Sequence, residues 1–180
     1  MEYSGFLSGE GSLKLSGCAG LQDSGRENLG ADLPVAVYRL LEYSFKDELT
    51  ERFGKEAQIQ IFRGAGCRAG TFFAKHYLDL TLELSDFIAQ LQRKLEEMKI
   101  GVLRVEEAEA DTGKMVLTLA EDADCSGLPT LGETVCNYDE GFLAGVLTAY
   151  TQKPYSAVEV NCWATGDRVC RFQAEVDEGS

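Results

Sequence analysis

The sequence is poor in histidine, proline, methionine and tryptophan: one His, three Pro, three Met and one Trp in 180 residues. A single His leaves little material for a histidine-based metal site or for a Ser-His-Asp or Cys-His catalytic arrangement. His76, in "FFAKHYLDL", reads as a partly exposed helix position rather than a heme ligand. Positive charge is also scarce, 17 Lys and Arg against 30 Asp and Glu, for a formal net charge of -13. Such a chain repels nucleic-acid phosphates and anionic membrane surfaces. No apolar run approaches the roughly 20 residues that cross a bilayer, and the opening "MEYSGFLSGEGSLKLSG" lacks the basic-then-apolar pattern of a secretory signal. A glycine-rich strand-to-helix loop of the dinucleotide-binding kind is missing too. The expectation is a cytoplasmic protein that contacts neither nucleic acid nor membrane directly.

What is present is a composition 44% hydrophobic, enough for one globular domain with its own core. Residues 1–31, rich in Gly and Ser, read as an extension in which "GFLSGEGSLKL" has the pattern of a small hairpin. Residues 32–176 form the domain. "ADLPVAVYRLLEYSFKDELTERFG" predicts a helix begun near Pro34 and closed by Gly54, with Val37, Leu40, Leu41, Phe45 and Leu49 at helical spacing. A second helix is predicted from about residue 66 to 80, where Gly64, Gly66 and Gly70 permit close approach to a neighbour. A third runs through "SDFIAQLQRKLEEMKIG", with Ser85 as N-cap and Phe87, Ile88, Leu91, Leu95 and Met98 on one stripe. The texture then changes to a hairpin around Asp111-Thr112-Gly113, a helix capped at Asn137 and stopped by Pro154, and a final hairpin. This order predicts an α+β fold, with N-terminal helices packed on an antiparallel sheet of two hairpins separated by a helix.

Six cysteines, at 18, 67, 125, 136, 162 and 170, are buried thiols or metal ligands if the compartment is reducing. With a turn at 165–167, Cys162 falls opposite Cys170 on a face shared with Val158, Val160, Phe172 and Ala174. Two facing thiols suit a zinc half-site or small core residues equally well, and their spacing favours the core reading. Cys136 strengthens the metal reading, because it precedes a helix whose N-terminus favours a thiolate. Glu159, three residues from Cys162, points to the opposite face of a regular strand and joins the cysteines only through a bulge. Cys125, in "EDADCSGLP", competes as a ligand; Cys18 and Cys67 read as ordinary thiols.

The stretch "EDADCSGLPTLGETVCNYDEGFLAGVLTAYTQKPYSAVEVNCWATGDRVCRF" resembles the 4-vinyl reductase domain family. The motifs that carry the likeness are Cys136, Tyr138, Glu140, Gly141 and Phe142, then Glu-x-x-Cys-x7-Cys with Gly166 between the cysteines. The resemblance implies a fold shared with heme-based nitric oxide sensors and a vesicle-tethering subunit. It further implies a structural zinc held by Cys136, Glu159, Cys162 and Cys170, leaving Cys125 spare. The implied function is a binding or sensor domain for a small hydrophobic or aromatic molecule, homodimeric and signalling to a downstream protein partner. The alternatives are an enzyme or accessory factor in reduction of a tetrapyrrole vinyl group, and a protein-interaction adaptor. Phe72, Phe73, Phe87, Phe142 and Trp163 are candidate pocket residues, though aromatic stripes are more often plain core.

Overall fold

The computed structural model describes residues 15, 27–30, 32–109 and 111–177. The expected hairpin at residues 5–15, all but Leu15, and Cys18 lie outside that set. The chain divides into Met1–Asp32 and Leu33–Ser180, and every element named below belongs to the second unit.

Helix α1 runs Val35–Phe53 and α2 Lys55–Tyr77, joined through Gly54 at φ 86°, a backbone angle that favours glycine. α2 therefore starts well before residue 66. Its three glycines lower local helix propensity, but Gln58, Phe62, Gly66, Gly70, Phe73 and Ala74 form one buried stripe, and packing overrides propensity. The stripe meets α4, Asn137–Thr151, almost all of which is buried. Here the two backbones touch: a Cβ on Gly66 would lie 2.0 Å from the Tyr138 carbonyl oxygen, and one on Gly141 2.0 Å from that of Arg63. Gly70 and Gly145 make the same approach one turn further on. Two Gly-x3-Gly repeats, on facing helices, set this crossing.

Helix α3, Leu84–Glu97, buries Phe87, Ile88, Leu91 and Leu95, while Met98 stays half exposed and Ser85 falls inside the helix, the cap position being Glu83. The strands are β1 Val102–Ala108, β2 Met115–Ala120, β3 Tyr155–Asn161 and β4 Cys170–Val176. They form one antiparallel sheet in the order β1-β2-β4-β3. The two hairpins thus join through β2 and β4, with α4 packed between α2 and the β3–β4 side. The architecture is the α+β arrangement expected. Among the described residues no helix is long and apolar enough to cross a membrane.

Two expectations about side-chain direction are corrected. Val158 and Val160 face outward, 48% and 42% exposed, because the β3–β4 register shifts between Glu159 and Asn161. That bulge inverts the alternation, so Ala157 and Glu159 point inward on one side of it and Cys162 on the other. On α1, Leu40, Leu41 and Phe45 are exposed, and the buried positions are Glu42 and Lys46. The inner face of this helix is polar.

Candidate functional site

Cys125, Cys136, Cys162 and Cys170 converge from four separate places in the sequence. Cys125 sits in the loop after β2, Cys136 caps α4, Cys162 leaves β3 and Cys170 opens β4. All four are buried, at 1% exposure or less. Their Sγ atoms lie within 4.8 Å of one another. Individual separations are 3.1 Å for Cys125–Cys170, 3.7 Å for Cys136–Cys170, 3.8 Å for Cys136–Cys162 and 3.9 Å for Cys125–Cys162. Hydrogen bonds among them, led by those with Cys125, push the Cys136 and Cys170 thiols far above the ordinary range and Cys162 far below it. The cluster accordingly concentrates its negative charge on Cys162, whose Sγ also accepts the Ala164 N–H at 3.4 Å.

Glu159 reaches the edge of this cluster. Its Oε2 accepts the backbone N–H of Cys136 at 3.0 Å, and its Oε1 is buried without a hydrogen-bond partner. Burial, and then the neighbouring Cys162, push its carboxyl up to about 8. The backbone N–H of Glu159 donates to Glu140 Oε1 at 2.8 Å, and Glu140 in turn receives Arg63 through Nε at 2.5 Å and Nη2 at 2.9 Å. Asn137 adds a third donor to Glu140 at 3.2 Å. This network pins the start of α4 to α2 and β3. The pairing of Arg63 with Glu140 had no local signal in the sequence, since 77 residues separate them.

The loop carrying Cys125 is held by the polar face of α1. Arg39 donates to the carbonyls of Ala123 at 2.7 Å and Ser126 at 2.8 Å, with a longer contact to Asp122 at 3.3 Å. Tyr38 OH donates to Asp124 Oδ1 at 2.5 Å, Tyr43 OH to the Asp124 carbonyl at 3.2 Å, and Lys46 to the Val135 carbonyl at 2.8 Å. Asp122 faces the sulfurs: its Oδ2 accepts from Cys136 Sγ at 3.3 Å and Cys125 Sγ at 3.5 Å. Asp124 and Asp139 are buried nearby, and burial followed by the charge of Asp122 pushes both carboxyls well above the usual range.

At the opposite end of α4 a cleft of about 330 Å³ opens between the start of α3, the β1–β2 turn and the end of the helix. Leu84, Met115, Leu147, Tyr150, Tyr155 and Val176 give it an apolar lining. Tyr150 stacks on Phe87 with ring centroids 3.9 Å apart, and its OH donates to the Leu82 carbonyl at 3.0 Å. None of the five aromatic residues singled out in the sequence lines this cleft directly. Phe73 and Phe142 meet edge-on at 5.3 Å in the core, and Trp163 donates its indole N–H to the Leu128 carbonyl at 2.9 Å. Phe72 stacks at 3.9 Å on exposed His76, whose Nδ1–H donates to the Phe72 carbonyl at 2.8 Å.

With this geometry in hand, comparison with known proteins gives consistent results. A curated relative, an uncharacterised protein of Methanocaldococcus jannaschii, is 29% identical over 150 residues, covering 83% of this chain and 80% of the relative. Among solved structures, the phenol-responsive sensory domain of the transcription activator PoxR, with phenol, superposes with a TM-score of 0.60 at 15% identity, covering 80% of this chain and 75% of that one. A vinyl-4-reductase family protein from Methanocaldococcus jannaschii gives 0.58 at 18% identity, covering 81% and 83%. At these identities the two structures share the fold. The family model for the 4-vinyl reductase domain matches residues 115–176, the segment that holds all four clustered cysteines and Glu159, and the chain carries a domain of that family there.

Proposed function

We propose that residues 32–176 form a metal-stabilised receptor domain for a small hydrophobic or aromatic molecule, with residues 1–31 as an extension. The observation that carries this reading is the layout of α4. Its first turn anchors the thiol cluster, and its last turns wall an apolar cleft whose size falls in the range of small-molecule sites. The 4-vinyl reductase domain match and the phenol named for the PoxR domain support a ligand of this class.

The metal is zinc, bound by Cys136, Cys162 and Cys170 with one further ligand. Soft, closely spaced, buried sulfur donors suit zinc. A set with four protein ligands leaves no open position, so the ion's contribution is structural: it cross-links a loop, a helix start and the last hairpin. The apolar outer face of α1, with Leu40, Leu41 and Phe45 exposed, is where a second copy of the chain packs. Through the inner face of the same helix, Tyr38, Arg39 and Lys46 connect that interface to the metal loop. Signal transfer to a downstream protein partner would follow this route.

The test is native mass spectrometry of the purified protein, followed by titration with toluene and phenol as probes. The expected spectrum shows one zinc per chain in a dimer, and the probes bind in a manner blocked by Leu84→Trp, which fills the cleft from its rim. Binding unaffected by that substitution would place the ligand elsewhere, and Leu40→Glu leaving the dimer intact would reject the α1 interface.

A further inference from the structure

We infer that Cys125 is the fourth metal ligand, and that Glu159 is a positioning residue that holds the Cys136 backbone rather than the ion. This rests on the metal reading above and assigns the position it left open. Four sulfurs bound to one zinc at about 2.3 Å stand about 3.8 Å apart at the corners of a tetrahedron. The measured separations of 3.1 to 3.9 Å scatter around that edge, and Cys125 takes part in two of the four. Glu159 is outside the set of atoms that lie mutually within 4.8 Å. One of its oxygens is already engaged with the Cys136 N–H, at the base of the ligand it would orient.

The loop geometry agrees. Cys125 is brought to the cluster by contacts that have no other evident purpose: the Arg39 guanidinium gathers the carbonyls on either side of it, and the Leu128 N–H donates to the Cys125 carbonyl at 3.0 Å. A spare core thiol needs no such scaffold. Asp122 stands beside Cys125 and Cys136 as an acceptor of thiol hydrogens, placed to take protons as the sulfurs ionise on metal binding.

Two measurements on the full, reduced chain decide the matter. X-ray absorption at the zinc edge of the wild-type protein is expected to fit a shell of four sulfurs without oxygen. In cobalt-substituted protein, Cys125→Ala should lower the sulfur-to-metal charge-transfer band by about a quarter, as expected when one of four thiolates is lost. Zinc affinity should fall at least tenfold in that variant, while Glu159→Gln keeps the full band. A three-sulfur, one-oxygen shell would overturn the inference, with loss of the oxygen in Glu159→Gln or in Asp122→Asn naming the true ligand. An unchanged band in Cys125→Ala, or a Cys125–Cys170 disulfide in the intact mass of reduced protein, would overturn it as well. Failure of wild-type protein to take up zinc or cobalt would instead reject the metal reading itself.

Discussion

The α2–α4 crossing is the joint on which the site depends, and substituting Gly66 tests it. An added Cβ would lie 2.0 Å from the Tyr138 carbonyl oxygen and 2.9 Å from the Phe142 nitrogen, where ordinary contact begins at 3.4 Å. Both neighbours are backbone, so no side-chain rotation relieves the clash and the helices must separate. Overpacking of this kind costs about 1–3 kcal/mol, with a backbone obstacle placing it at the upper end. Alanine recovers about 1 kcal/mol of helix propensity, leaving Gly66→Ala destabilised by about 2 kcal/mol. With a urea m-value of about 2 kcal/mol/M, the unfolding midpoint drops by about 1 M. Gly64 supplies the control in the same helix, because a Cβ there meets nothing within 4 Å. Gly64→Ala is expected to stabilise by up to about 1 kcal/mol. Both variants are to be unfolded at saturating zinc. A Gly66→Ala protein as stable as wild type, or a Gly64→Ala protein destabilised to the same degree, would refute the close-packed crossing.

Three further outcomes are expected. In chelated protein, Glu159 binds its proton more tightly folded, at about 8, than unfolded, at 4.5. Raising pH from 5 to 8 therefore removes stability, by about 5 kcal/mol at most from this group, and buried Asp124 and Asp139 act in the same direction. Zinc-loaded protein should show the opposite trend over that range because its ligands must be deprotonated; a chelated melting temperature that rises with pH would contradict the reasoning. Arg63→Ala leaves Glu140 charged and buried, and chemical denaturation should show a loss of about 2–3 kcal/mol, below the usual figure for a broken buried pair because Arg63 is partly solvated. Glu140→Gln should cost less, and a larger loss there than in Arg63→Ala would sink the argument. Arg39→Ala frees the 122–126 loop, so zinc transfer to a competing chelator should accelerate at least tenfold, against no change if α1 merely covers the loop.

Much of the fold was legible because it is written in periodicity. The stripe Phe87, Ile88, Leu91 and Leu95 and the alternation of Met115, Leu117 and Leu119 both appear as buried faces. Periodicity identifies a stripe but not what covers it, which is why Leu40 and Phe45 of α1 were legible as a face and not as an exposed one. The start of α2 was hidden because Gly64, Gly66 and Gly70 read as poor helix formers until the partner helix supplies their reason. At the site, Cys136, Cys162 and Cys170 stood out by their places at helix and strand ends. Cys125 did not, because its approach depends on Arg39, 84 residues away from the Ala123 carbonyl it binds. The inward turn of Glu159 required the bulge at Val160, a register shift that strand alternation alone does not encode.

The central claim is that the buried cysteines hold one metal ion which stabilises the domain, and zinc titration of the reduced, metal-free protein tests it most directly by thermal unfolding. The account predicts a melting temperature that climbs by about 10 °C or more and breaks at one equivalent of zinc. A melting temperature indifferent to zinc, with all four thiols still buried and reduced, would contradict it.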